Sequence, residues 1–212
     1  MRRLVVPLLT IALALVAGRT AQAGAPTDQL KVGIDRVLAI LQDPAMKQPG
    51  KAEERRQKIR AVANEVFDWE EIGKRALARH WQARTPQERE EFAKLFADLL
   101  ERSYVGKIEA YTGEKIVYGE ETVDGDQAAV RTKLLTKTGT QIPIDYQMQK
   151  ISDRWRVYDV KIENVGLVAN YRSQFNRIIQ QSGYNDLIQR LKTKQEELQF
   201  DEGAAAKGGK KP

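Results

Sequence analysis

The sequence contains no cysteine and one histidine, His80. The first absence excludes a disulfide scaffold, a thiol nucleophile and a thiolate metal site. It also excludes the lipid-modified N-terminal cysteine of a lipoprotein. The second leaves His80, beside Trp81 at a helix end, as a surface or packing residue. Metal ligation would need His, Cys or clustered carboxylates, and the sequence clusters none of them. Asp124-Gly125-Asp126 has two calcium-loop positions and lacks the remaining ligands, so it reads as a hairpin turn. No serine sits in a nucleophile elbow. Gly113, Gly119, Gly125 and Gly139 are scattered turn glycines and not a phosphate loop. No apolar run is long enough to cross a bilayer, which takes about 20 residues.

The one sustained apolar run, Leu4 to Ala17, lies at the N-terminus. Arg2 and Arg3 precede it and Ala21-Gln22-Ala23 follows it. That layout is a secretory signal peptide over residues 1–23, cut after Ala23. The reading puts the mature chain free in the periplasm of a bacterial envelope, where a chain without disulfides relies on its own core. Residues 24–201 suffice for one domain. Residues 202–212 are low in complexity and read as a disordered tail.

Charge is less informative than it looks. The chain has 35 basic and 29 acidic residues, net +6. The leader holds Arg2, Arg3 and Arg19. The tail holds Lys207, Lys210, Lys211 and Glu202. Without those two ends 29 basic and 28 acidic residues remain, net +1. A nucleic-acid binder carries a basic stripe on its body, so a nucleic-acid partner is set aside.

The periodicity divides the chain into helices, then strands, then helices. Ile34, Val37, Leu38 and Leu41 recur at helical spacing. Asp43-Pro44 and Gln48-Pro49-Gly50 break the chain. Helices follow over about Ala52–Phe67 and Trp69–Trp81. Thr85-Pro86-Gln87-Glu88 is a capping box with proline at the first helical position. It opens a long helix whose apolar face runs through Phe92, Phe96, Leu99, Tyr104, Val105, Ile108 and Tyr111. Strands are expected over about Lys115–Val123, Ala128–Thr136, a third carrying Ile142, Ile144, Tyr146 and Met148 on one side, and Trp155–Ile162. Short turns between them make an antiparallel meander with one buried face. Helix returns at about Gly166, with Leu167, Val168, Tyr171 and Phe175 on its apolar side. Ser182-Gly183 interrupts it before a last helix. The class is α+β, with helices packed on one face of a curved sheet.

Apolar side chains are in good supply, whereas catalytic ones are scarce. The long helix, the third strand and the helix after Gly166 converge to offer Leu99, Val105, Ile108, Val130, Ile142, Ile144, Tyr146, Val165 and Val168 as the lining of an elongated cavity. A filled core is the plain alternative. Buried tyrosines usually need a hydroxyl partner, so Tyr104, Tyr146 and Tyr171 suit either a pocket mouth or the wet edge of a core.

Several motifs, in order, resemble the MlaC-type, or toluene-tolerance, family. They are Phe67-Asp-Trp-Glu-Glu-Ile-Gly-Lys-Arg-Ala-Leu77 with His80-Trp81, and Thr85-Pro-Gln-Glu-Arg89 with Phe92, Leu95 and Phe96. Ile142-Pro-Ile-Asp-Tyr146 also fits. The strongest is Tyr158-Asp-Val-Lys-Ile-Glu163 running into Val165-Gly-Leu-Val168 and Asn170-Tyr-Arg-Ser-Gln-Phe175. Asn164 and Gly166 depart from the pattern, which more often has Gly and Ser there. The resemblance spans about Leu30 to Leu191. It implies a curved four-stranded antiparallel meander packed against several helices, cone-like as in nuclear-transport-factor-like folds, around an apolar cavity. It implies a periplasmic carrier that shuttles phospholipid between an inner-membrane ABC transporter complex, with its lipid-binding subunit, and an outer-membrane lipoprotein complex. Lipid tails would lie inside and the head group outside, with Arg172 beside Tyr171 as the candidate head-group contact. No cofactor and no catalytic residue are implied. A hopanoid-associated branch, a docking adaptor without ligand, and an enzyme using Asp145 or Asp159 are the alternatives. Alternation turns Asp145 away from the pocket side.

Overall fold

The computed structural model describes residues 25–48 and 50–193. The leader, its cut site and the tail lie outside the described residues. The elements are α1 (Ala25–Gln42), α2 (Ala52–Val66), α3 (Trp69–Leu77) with a 3-10 turn (Ala78–His80), α4 (Pro86–Glu109), β1 (Lys115–Asp124), β2 (Gln127–Leu135), β3 (Gln141–Ile151), β4 (Arg154–Ile162), β5 (Val165–Gly166), α5 (Leu167–Ser182) and α6 (Tyr184–Thr193). The sheet order is β1-β2-β3-β4-β5, each neighbour antiparallel. The four-strand expectation therefore falls short by one. A two-residue fifth strand forms because Glu163 and Asn164, both at positive φ, fold the chain back on β4. Asn tolerates that conformation better than most residues, which accounts for Asn164.

Local signals explain the helix ends. Thr85 accepts a hydrogen bond from the Glu88 backbone N–H at 3.2 Å, and Glu88 accepts one from the Thr85 N–H at 2.7 Å. Asp68 caps α3 through the Glu71 N–H at 3.1 Å. Gly166 stands at the N-cap of α5 and has no side chain to give. Asp159 of β4 substitutes for it, accepting from the Val168 N–H at 3.1 Å. Gly183, at φ 86°, separates α5 from α6.

The described residues form two cores. One is helical, where Ile72, Leu77, Trp81, Phe92, Phe96, Leu99, Val168, Tyr171, Phe175, Leu187 and Leu191 bury one another. The other lies between the sheet and α1, built from Leu30, Ala128, Val130, Met148, Trp155, Val157 and Val160. Phe67 touches both and forms a parallel bridge to Val157 at the β4 edge. Close approach of α1 to α2 depends on Gly33, where a Cβ would lie 2.5 Å from a Val66 methyl.

Ala78 ends α3 at φ 48°, ψ −120°. That conformation suits glycine and strains any residue with a Cβ. The Ala78 side chain is exposed, so its methyl group adds no burial. Ala78→Gly is expected to stabilise the protein by about 1 kcal/mol, read as a higher urea midpoint with an unchanged slope.

Candidate functional site

Strand register shows which side chains share the inner face of the sheet. One row is Val130, Tyr146 and Val160; the next is Tyr118, Thr132, Ile144 and Ile162; the third is Ile116, Leu134 and Ile142. Burial falls off along this face. Val130 and Val160 are buried under α1, whereas Ile116, Tyr118, Leu134, Ile142, Ile144 and Tyr146 keep part of their surface open. Thr132 is the buried polar residue of the face, satisfied by donating its hydroxyl to the Ile144 carbonyl at 2.8 Å.

The C-terminal part of α4 belongs to the same end of the molecule, because the short connection 110–114 leads from it directly into Lys115 and Ile116. Phe92, Ala93, Phe96 and Leu99 are buried along the first part of α4. Further on, Tyr104 and Val105 are half-buried and Ile108 is 37% exposed. Tyr111 donates to the Glu114 carbonyl at 3.0 Å and accepts from the Gln42 amide at 3.4 Å, which brings in the end of α1. Val165, 42% exposed, stands beside Ile162 at the β4–β5 turn. An apolar surface of this kind, left half-open and rimmed by polar groups, is the usual form of a site for an apolar ligand.

The twelve expected lining residues thus fall into three groups. Tyr104, Val105, Ile142, Ile144 and Tyr146 are half-buried at the open end, with Ile108 and Val165 more exposed around it. Leu99, Val168 and Tyr171 are packed in the helical core, and Val130 lies in the sheet core against which Ile144 and Tyr146 pack. Arg172 lies elsewhere. It lines a cleft of about 480 Å³ on the other side of β4, with Lys74, Arg75, Trp81, Tyr158 and Asp159. There Arg75 stacks on the Tyr158 ring at 3.9 Å and pairs with Glu71 at 2.8 Å.

Tyr118 went unremarked in the sequence, although its alternation with Ile116 would have found it. Its hydroxyl is buried without a partner, and burial pushes it up to about 12, with the nearby Asp35 adding. Tyr146 is raised above the ordinary phenol range by burial too, and Tyr118 adds to that shift. The second missed group is charged. Arg55 and Arg56 of α2 converge on Glu109 at the end of α4, at 2.7 and 3.0 Å. Arg60 meets Asp98 at 3.2 Å and Glu101 at 2.6 Å further along the same helix. Hydrogen bonds from Arg56 and then Arg55 hold Glu109 below the usual carboxylate range.

The candidate acids of an enzyme reading do not reach the inner face. Asp145 is in register with Arg131 and Lys161, and Asp159 with Gln147, all on the outer side. Burial raises the Asp159 carboxyl above its ordinary value, although the Val168 and Val160 N–H groups oppose the shift. His80 bonds Asn176 at 3.0 Å and so ties the 3-10 turn to α5. No group of three or more potential metal ligands occurs among the described residues, and none of their helices is long and apolar enough to cross a membrane.

A helix-backed antiparallel sheet with one end of its apolar face left open defines a small α+β protein of the kind that can shelter an apolar ligand. The chain belongs to the MlaC protein family, whose model matches residues 31–193. It is 25% identical over 131 residues to the toluene tolerance protein ttg2D of Pseudomonas putida, covering 61% of this chain and 60% of that protein. It is 24% identical over 138 residues to the intermembrane phospholipid transport system binding protein MlaC of Haemophilus influenzae, covering 61% of this chain and 64% of that protein. The match therefore spans less than two thirds of either relative. The fold is similar to that of a phospholipid-binding protein from Ralstonia solanacearum solved in complex with a phospholipid, with a TM-score of 0.71 and 26% identity over 81% of this chain and 96% of that one.

Proposed function

We propose that the protein is a periplasmic carrier that shuttles phospholipid between an inner-membrane ABC transporter complex and an outer-membrane lipoprotein complex, so maintaining the lipid asymmetry of the outer membrane. The observation that carries this reading is the half-open apolar face of Ile142, Ile144, Tyr146, Ile116 and Leu134, together with the partly exposed Tyr104–Ile108 stretch of α4, which the connection 110–114 joins to β1. Family membership supports the ligand class. A diacyl lipid has roughly 30 methylenes, each worth about 0.8 kcal/mol when withdrawn from water. Crossing an aqueous compartment is prohibitive unless a protein covers most of them. Covering them needs an apolar wall and no nucleophile, metal or general base, and we assign no catalytic residue.

Mass spectrometry of the protein purified without detergent tests the reading. A glycerophospholipid is the expected passenger, in several head-group classes, at close to one per chain. An empty protein would overturn the carrier reading. A bound hopanoid would move the chain to a different lipid class.

A further inference from the structure

The Arg55–Glu109–Arg56 cluster stands at the C-terminal end of α4, where the chain turns toward β1. Glu109 is the last residue of α4, directly after the exposed Ile108, at the end of the helix that the connection 110–114 joins to β1. Two guanidinium groups share this one carboxylate. Arg55 donates Nε and Nη2 to Glu109 Oε1 at 3.1 and 2.7 Å, and its Nη1 to the Met46 carbonyl at 2.8 Å. All three of its guanidinium nitrogens are engaged, and its side chain is only 17% exposed. Arg56 donates Nε to Oε1 at 3.3 Å and Nη2 to Oε2 at 3.0 Å. Its side chain is 43% exposed and its Nη1 has no bond among the described residues. Glu53 and Glu101 also act on Arg56 electrostatically. Glu101 is already paired with Arg60, and Glu53 accepts from Gln57 at 3.1 Å.

The cluster carries one more positive charge than negative. A carboxylate at a helix C-terminus is disfavoured by the helix dipole, so Glu109 is held in place by the arginines and by nothing in α4 itself. An arginine fixed side-on by a carboxylate presents its free edge in a set direction, the geometry suited to a phosphate oxygen. Arg172, the cation expected from the sequence, lines the cleft with Tyr158 and Asp159.

We propose that Arg56, positioned by Glu109 and Arg55, binds the phosphate of the lipid at the mouth of the site. This rests on the carrier reading above. Phosphate is common to all glycerophospholipids, so the site would select for it without distinguishing the alcohol beyond it.

The test loads the full mature protein from detergent with palmitoyl-oleoyl phosphatidylglycerol or with the matching diacylglycerol, which has the same chains and no phosphate. Lipid retained per mole of folded protein is measured after gel filtration. Arg56→Gln is expected to lower retention of phosphatidylglycerol about tenfold relative to wild type, in keeping with loss of a charge-assisted hydrogen bond, and to leave diacylglycerol unchanged. Glu109→Gln should lower the ratio of phosphatidylglycerol to diacylglycerol, though less than Arg56→Gln does, since Arg56 keeps its charge and loses the carboxylate that sets its direction. A purely structural ion pair would predict a fall in both lipids. Arg60→Gln breaks the neighbouring ties of α2 to α4 and should leave the ratio at the wild-type value. An unchanged ratio in Arg56→Gln, or an equal fall in Arg60→Gln, overturns the phosphate site. Failure of the wild type to retain either lipid overturns the carrier reading instead.

Discussion

Ile144→Trp is expected to empty the protein of lipid while leaving it folded. Ile144 is half-buried at the open end of the inner face, with Thr132 and Ile162 as its register partners. An indole there can extend into the open region, so native packing has little to lose. Excluding only two or three methylenes of a bound chain, at about 0.8 kcal/mol each, costs roughly 2 kcal/mol, more than tenfold in affinity. Val168→Trp, which sequence reasoning alone would rank as equivalent, should behave differently. Val168 is buried in the helical core and its N–H is engaged by Asp159. Overpacking there costs about 1–3 kcal/mol or more, so lipid would be lost through unfolding. Lipid extracted per mole of folded protein, read beside a thermal melt, separates the two. A lipid-filled Ile144→Trp protein would place the tails somewhere other than the inner face.

The difference between these two positions marks where sequence reasoning ends. Alternation along β3 was readable because a period of two admits one assignment of faces, and Ile142, Ile144 and Tyr146 do share the inner face. The capping box at Thr85 was readable because all its partners lie within four residues. In β4 the buried positions change phase, from Trp155 and Val157 to Val160, for a reason that needs the partner strand. A bulge sets Gln147 opposite Asp159 and Met148 opposite Val157, leaving Tyr158 unpaired in register. Beyond it the alternation resumes on the other phase.

Helix faces were legible and their destinations were not. Leu167, Val168, Tyr171 and Phe175 mark one side of α5, and nothing in that spacing says whether it meets the sheet or another helix. In the fold Val168, Tyr171 and Phe175 are buried in the helical core, and Leu167 packs against the sheet core. The Arg55–Glu109–Arg56 cluster joins residues more than fifty positions apart, each an unremarkable charge in its own helix. The cap of α5 was hidden in the same way, because Gly166 has no side chain and Asp159 comes from a strand.

The separation of the two cores leads to the largest stability effect. Phe96 is 1% exposed, and its ring lies 5.1 Å from both Tyr171 and Phe175, edge to face, and 5.8 Å from Phe92. It ties α4 to α5 at the centre of the helical core. Phe96→Ala should cost about 3–5 kcal/mol through lost burial and a cavity that three rigid rings cannot collapse to fill. For a domain of this size that is a fall of roughly 10 °C or more in melting temperature. Ile108→Ala, three turns further along the same helix and 37% exposed, should change stability by less than about 0.5 kcal/mol and yet lower lipid retention. Calorimetry and lipid extraction on the two variants test the pair of expectations together. If Phe96→Ala melts near the wild-type temperature, the aromatic cluster does not hold α4. If Ile108→Ala destabilises as Phe96→Ala does, the end of α4 is core and not the wall of a site. A helix anchored by its first part can leave its last part uncovered, and that is how one α4 can both close a core and keep an apolar surface open for a ligand.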